Sequence, residues 1–390
     1  MSARDAHECA ARLDAVLASA VESGALVGAS AAAWSADGLE YAGAAGQRAP
    51  GEPMGADTVV WIASMTKAIT GAAVMQLVER GVLALDQPAG ELVPYLDQVQ
   101  VLDGFDADGT ARLRPPARRL TIRHLLTHTS GFSYEFADAS LAKFLTANPR
   151  GALGTQASYE QPLLFDPGER WAYGIGIDWA GRVVEAAAGQ RLDQHLRDHL
   201  LGPLGMSDTG FSRSSGQLAR AADVHLRTPD ALVPIPFALP DDPEMLMGGG
   251  GLYSTVVDYL RFARMILGGG SLEGVRVLSP ETVATMCQSH IGDLVASGWQ
   301  TQTPMMSNDV SLFPGERAGW GLTFLVNPHR TAEGRSPGSV AWAGLANSYY
   351  WIDRTAGVAG VFATQVLPFF DDGARATFAA FERAVYDSLT

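Results

Sequence analysis

Apolar and polar positions change rhythm three times along the chain. The first stretch, MSARDAHECAARLDAVLASAVESG, is interrupted by Arg4, Asp5, Glu8, Arg12, Asp14 and Glu22. It therefore predicts an amphipathic helix and offers no uninterrupted hydrophobic region of the kind a secretory leader needs. VGASAAAWSADGLEYAGAAG (27–46) predicts two short strands around Asp37-Gly38, a pair that tolerates the positive φ of a hairpin turn. From Lys67 to about Leu267 the texture is helical, in AITGAAVMQLVERG, LTIRHLLTHTSGF (120–132) and DWAGRVVEAAAGQRLDQHLRDHL (178–200). Loops bearing Pro and Gly, such as FDPGERW (165–171), separate these pieces. Strands return in GWGLTFLVN (319–327), GSVAWAG (338–344), SYYWIDR (348–354) and GVAGVFATQ (357–365), and a helix closes the chain from about Asp372. The expected architecture is α/β (α+β): one antiparallel sheet formed by both chain ends and flanked by helices, with a mostly helical region inserted. The boundaries expected are 1–66 and 290–390 for the sheet domain and 67–289 for the helical one.

Composition narrows this picture. A chain of 390 residues, 47% apolar and 18% charged, can bury a sizeable core and is too apolar for long disorder. The net charge of −14 makes nucleic acid and anionic membrane poor partners, and the one basic group, Arg112, Arg114, Arg118 and Arg119, reads as a solvated loop. Two cysteines, Cys9 and Cys287, support neither a disulfide framework nor a CxxC metal site. No other apolar run approaches eighteen residues, so the expectation is a soluble cytoplasmic protein.

Candidate chemistry begins in WIASMTKAITGAAVMQLVERG, at Ser64-Met65-Thr66-Lys67. Residues three apart share a helical face, so the Lys67 amine would reach the Ser64 hydroxyl. The apolar segment that follows marks a buried helix, and burial favours the neutral amine that can take a proton. The serine amide at the helix start could hold an oxyanion. By itself the tetrad leaves the ordinary alternative open and favours it: Ser64 as an N-cap and Lys67 as a snorkelling surface residue.

Further stretches follow in order: LTIRHLLTHTSG (120–131), FDPGERWAYG (165–174), MGGGGLYST (247–255) and VAWAGLANSYYWID (340–353). With the SxxK tetrad they resemble the serine β-lactamase and penicillin-binding-protein superfamily, in particular its family VIII carboxylesterases related to class C β-lactamases, over about Ser30 to Asp353. The resemblance implies a β-lactamase/transpeptidase-like fold with the active site between the two regions. It implies Ser64 as the acylated nucleophile, Lys67 as its base partner and Tyr173 as the tyrosine that passes the proton to the leaving group. By the same matching, the amides of Ser64 and Leu345 form the oxyanion hole, and no metal or organic cofactor is required. From its local sequence alone, Tyr173 reads instead as an aromatic packed under a turn.

Two departures from the β-lactamases bear on substrate. Tyr173-Gly174-Ile175 stands where penicillin-recognising members have YxN, and isoleucine cannot bond an amide. Trp342-Ala343-Gly344 stands where they have KTG, so the cation that pairs a substrate carboxylate is missing. Trp342, Ile175 and Gly344 are therefore expected to bind a neutral small-molecule ester, short-chain by the resemblance. A β-lactamase or D-aminoacyl peptidase is the runner-up, and a non-catalytic ligand-binding member of the fold is the rival from another class.

GRSPG (334–338) satisfies GxSxG, but Ser336 lacks the preceding apolar strand and is followed by Pro337, so it reads as a hairpin loop. His124 and His128 are four apart without an intervening carboxylate and read as capping and packing residues. MGGGG lacks the Lys-Ser/Thr of a phosphate loop and reads as close backbone packing near the site. Asp178 is either a support for the Tyr173 turn or the N-cap of a helix starting at Trp179.

Overall fold

The structure is a computed structural model that describes residues 3–389. An eight-stranded antiparallel sheet is assembled from both chain ends. Its strands are β1 (Gly28–Ser35), β2 (Glu40–Ala49), β3 (Glu52–Pro53), β4 (Gly319–Trp320), β5 (Leu325–Val326), β6 (Val340–Gly344), β7 (Ser348–Asp353) and β8 (Val358–Ala363). They lie in the order β4-β5-β6-β7-β8-β1-β2-β3, and the chain ends are joined by β1 pairing β8, with Ser30 opposite Ala363.

Period-two alternation gives the sheet two apolar faces. Tyr349 and Trp351 of β7 pack on Phe378 of helix α5 (Asp372–Asp387), while Tyr350 between them packs on Tyr259 of α4 (Val256–Leu267). On the α5 side also lies α1 (Ala3–Glu22), where the Tyr41 hydroxyl of β2 donates to Asp14 at 2.8 Å. Although α4 falls within the helical stretch of the sequence, it packs against the sheet.

Gly360 of β8 faces Trp351 across the ladder, and a Cβ there would sit 2.0 Å from the indole. Gly360→Val should overpack this buried ring and cost about 3 kcal/mol, read as a lowered thermal unfolding midpoint. An unchanged midpoint would mean that the ring has room to move.

The helical body centres on α2 (Thr66–Glu79), buried continuously from Thr66 to Leu77 and packed on α3 (Gly176–Ala188). Three expectations need correction. GWGLTFLVN is not one strand but a hairpin, because Thr323 adopts φ 78° and Gly321 N bonds back to the Phe324 carbonyl. LTIRHLLTHTSGF contracts to a helix over Ile122–Leu126, since His128 turns left-handed at φ 56°. DWAGRVVEAAAGQRLDQHLRDHL breaks at Gly189, a left-handed cap with φ 64°, before the chain coils again from Leu192. Among the described residues, no helix is long and apolar enough to cross a membrane, and no group of three His, Cys, Asp or Glu residues could hold a metal.

Candidate active site

Ser64 occupies a 3-10 turn, Ala63–Met65, that leads directly into α2. Ala63 adopts φ 43°, a left-handed conformation uncommon for a residue with a Cβ, so the turn is held by its surroundings. Ile62 N donates to the Leu252 carbonyl at 3.1 Å, Leu252 N to Thr66 Oγ1 at 3.1 Å, and the Tyr259 hydroxyl to the Met65 carbonyl at 2.9 Å. Gly344, at the end of β6, lies so close that a Cβ would be 2.4 Å from the Ile62 carbonyl oxygen. That contact seats the end of β6 against the serine turn, and Gly344 and Leu345 line the same cleft as Ser64.

Lys67 is wholly buried, so the surface-snorkelling alternative does not hold. Its Nζ lies 3.0 Å from Ser64 Oγ, 3.0 Å from the Tyr134 hydroxyl and 2.6 Å from the Gly249 carbonyl. Three acceptors match the three N–H donors of an ammonium. The Gly249 carbonyl can only accept, so a neutral amine would turn its lone pair to one of the two hydroxyls. The site can thus hold either protonation state, with Ser64 as one of the groups that can give up its proton.

The glycine run forms the wall behind Lys67. Carbonyls of Gly248, Gly249 and Gly250 accept from Thr70 Oγ1 at 2.6 Å, Lys67 Nζ, and Trp61 Nε1 at 2.7 Å. Gly249 N donates to Asp178 Oδ1 at 2.9 Å, and a Cβ on Gly249 would lie 2.5 Å from Asp178 Oδ2. Helix α3 begins at Gly176 with Ile175 in the cap position, so Asp178 is not an N-cap; it is a buried carboxylate inside the first turn. Burial raises its pKa, opposed by the nearby Lys67 cation and the Gly249 amide.

Two tyrosines, Tyr134 and Tyr173, lie against Lys67. The hydroxyl bonded to Lys67 is that of Tyr134; the Tyr173 ring lies against the ammonium, its centroid 4.8 Å from Nζ. The Tyr173 hydroxyl accepts from Trp342 Nε1 at 3.1 Å, and its ring stacks on Trp299 with centroids 5.0 Å apart. Burial first, and then the Asp178 charge, push the Tyr134 hydroxyl well above its usual pKa, so it remains a proton-bearing phenol. Tyr134 has no fixed spacing from Ser64, and its only sequence signal is its place two residues after LTHTSGF. Gly174 brings the two tyrosine loops together, since a Cβ there would lie 2.3 Å from the Phe132 carbonyl oxygen.

The cleft has a cavity volume of about 270 Å³. Trp61, Phe237 and Leu239 form one wall, and Phe136, Trp299 and Phe369 another, with Trp342 and Ile175 also lining it. Arg150, at the rim, is engaged by Glu135 at 2.5 Å and Gln161 at 2.9 Å. Ser336 is not among the lining residues. Its amide donates to Asp353 Oδ2 at 2.7 Å and its carbonyl accepts from Asn327 Nδ2 at 3.0 Å, in the loop between β5 and β6. His124 forms a capping box with Thr121.

The beta-lactamase family profile matches residues 13–384. The chain is 33% identical to lovastatin esterase of Penicillium rubens over 91% of this chain and 93% of the relative. It is 32% identical to monacolin J acid methylbutanoyltransferase of Aspergillus terreus over 86% of this chain and 83% of the relative. A mutant simvastatin synthase from Aspergillus terreus superposes with a TM-score of 0.83 at 31% identity, covering 97% of this chain and 96% of that one. With the fold, the profile and these relatives in agreement, the chain belongs to the beta-lactamase family, within the serine β-lactamase and penicillin-binding-protein superfamily, on a branch with esterase and acyltransferase homologues.

Proposed function

We propose that the protein is a serine carboxylesterase that cleaves neutral, short-chain esters through an acyl-serine intermediate. The observation that carries the reading is the 3.0 Å approach of the buried Lys67 amine to Ser64 Oγ at the floor of an apolar cleft. Ser64 Oγ attacks the ester carbonyl as neutral Lys67 takes its proton, and the Tyr134 hydroxyl bonded to Nζ steadies the amine. The Ser64 and Leu345 amides hold the oxyanion, and each such donor is worth about 3 kcal/mol in the transition state. Tyr173, its hydroxyl oxygen held by the Trp342 N–H, gives its own proton to the departing alcohol and is left as a phenolate that regains a proton from the attacking water, while the carbonyl reforms on Ser64. Water then adds to the acyl-serine by the reverse path, releasing the acid and returning the proton to Ser64.

The aromatic Trp342 and the aliphatic Ile175 line the cleft where β-lactam recognition would need a cation and an amide, which supports a neutral ester. Initial rates on p-nitrophenyl butyrate should greatly exceed those on nitrocefin. Nitrocefin turnover equal to or faster than ester turnover would reverse the ranking towards a β-lactamase. A second reading, acyl transfer to an alcohol, is favoured by the apolar walls of Trp61, Phe237, Trp299 and Phe369, which would hold an organic acceptor in place of water. The similarity to a lovastatin esterase supports the first reading, and the similarity to a methylbutanoyltransferase supports the second.

A further inference from the structure

His128 is buried beneath Tyr173, on a left-handed backbone at φ 56° that few residues other than glycine, asparagine, aspartate and histidine adopt readily. Two hydrogen bonds bracket Tyr173: Ala172 N donates to the His128 carbonyl at 2.9 Å, and Gly174 N donates to His128 Nδ1 at 3.3 Å. Between them the imidazole packs on the phenol ring, centroids 4.7 Å apart. Because Nδ1 accepts, the ring is the neutral tautomer with its proton on Nε2. Burial, followed by the Lys67 charge, holds its pKa well below the usual value and keeps it in that form. Nε2 has no hydrogen-bond partner among the described residues; the ring lies near the indoles of Trp320 and Trp171 at interplanar angles of 72° and 77°. An N–H can rest against an aromatic face in such surroundings.

The far end of Tyr173 is fixed separately, its hydroxyl by Trp342 Nε1, and its main-chain carbonyl accepts a longer bond from Ser133 Oγ at 3.3 Å. His128 therefore accepts from the backbone amides on both sides of the tyrosine. The geometry points to His128 as a positioning residue for the reaction, its Nδ1 and carbonyl setting where the Tyr173 hydroxyl stands relative to Ser64. This rests on the reading of Tyr173 as the proton donor to the leaving alcohol. The role requires an acceptor at the Nδ1 position, whereas a packing role requires only volume.

The test compares His128→Asn, His128→Gln and His128→Leu, alongside Tyr173→Phe, by kcat and KM on p-nitrophenyl butyrate and by thermal unfolding. Asparagine tolerates the left-handed backbone and places its carbonyl oxygen near the Nδ1 position; glutamine reaches past it and leucine has no acceptor. A displaced proton donor should lower kcat about 30-fold or more in the Gln and Leu variants, with KM within about 2-fold, and Asn should stay within about 3-fold of wild type. The assignment is overturned if Gln and Leu retain wild-type kcat, or if Asn falls as far as they do. Should the Leu variant not fold, the Asn and Gln comparison decides. Tyr173→Phe separates the two levels: a slow Phe variant beside fast His128 variants rejects His128 alone, whereas a fast Phe variant rejects the role of Tyr173 and His128's with it.

Discussion

Ser64→Ala is expected to lower kcat on p-nitrophenyl butyrate by at least about 10⁴-fold, because removing the nucleophile removes the covalent route and leaves only oriented binding and the oxyanion site. The protein should remain as stable as wild type. The Ser64 hydroxyl is held by Lys67 Nζ, which keeps its bonds to Tyr134 and Gly249 after the substitution. The serine turn is anchored by backbone contacts of Ile62, Met65 and Leu252 that the substitution does not touch. Steady-state kinetics with thermal unfolding checks both parts. Turnover that persists in the variant would send the search for a nucleophile elsewhere in the fold.

Lys67→Met should have the next largest effect, a fall in kcat of about 10³-fold or more, since the general base and the cation of the site disappear together. Methionine has similar length and suits the buried position, yet stability should now depend on pH more steeply than in the wild type. Burial already raises the Asp178 pKa and Lys67 opposes that rise. Without the cation, the folded-state pKa moves further above its unfolded value. A carboxyl group raised in this way makes the folded state bind more protons than the unfolded state, so stability falls as pH rises through the carboxylate range towards neutral. The melting temperature of Lys67→Met relative to wild type should therefore be less depressed at pH 5 than at pH 8. An equal depression at both values would mean that Asp178 is not coupled to Lys67.

The terminal strands were legible because their apolar runs are short and bounded by turn residues; β1, β6, β7 and β8 lie within the segments read from the chain, and β2 runs three residues past its segment, to Ala49. Errors came where a single backbone angle overrides side-chain pattern. Thr323 folds GWGLTFLVN into a hairpin and His128 ends the LTIRHLLTHTSGF helix early, each through a positive φ that nothing in residue type demands. Ser64 and Lys67 share a helical spacing, so their meeting follows from local geometry. Tyr134 reaches Lys67 only through tertiary contact between loops, and Asp178 meets the glycine run only once α3 is packed beside α2. Trp342 was legible as a residue type in the WAG strand, whereas its N–H donation to Tyr173, 169 residues away in sequence, was not.

The central claim is that Ser64 carries the acyl group. Intact-protein mass spectrometry after brief reaction with a fluorophosphonate, followed by peptide mapping, tests it most directly. One adduct per chain is expected, located on the peptide containing Ser64 and absent from Ser64→Ala. An adduct that maps to another serine, or that persists undiminished in Ser64→Ala, would contradict it.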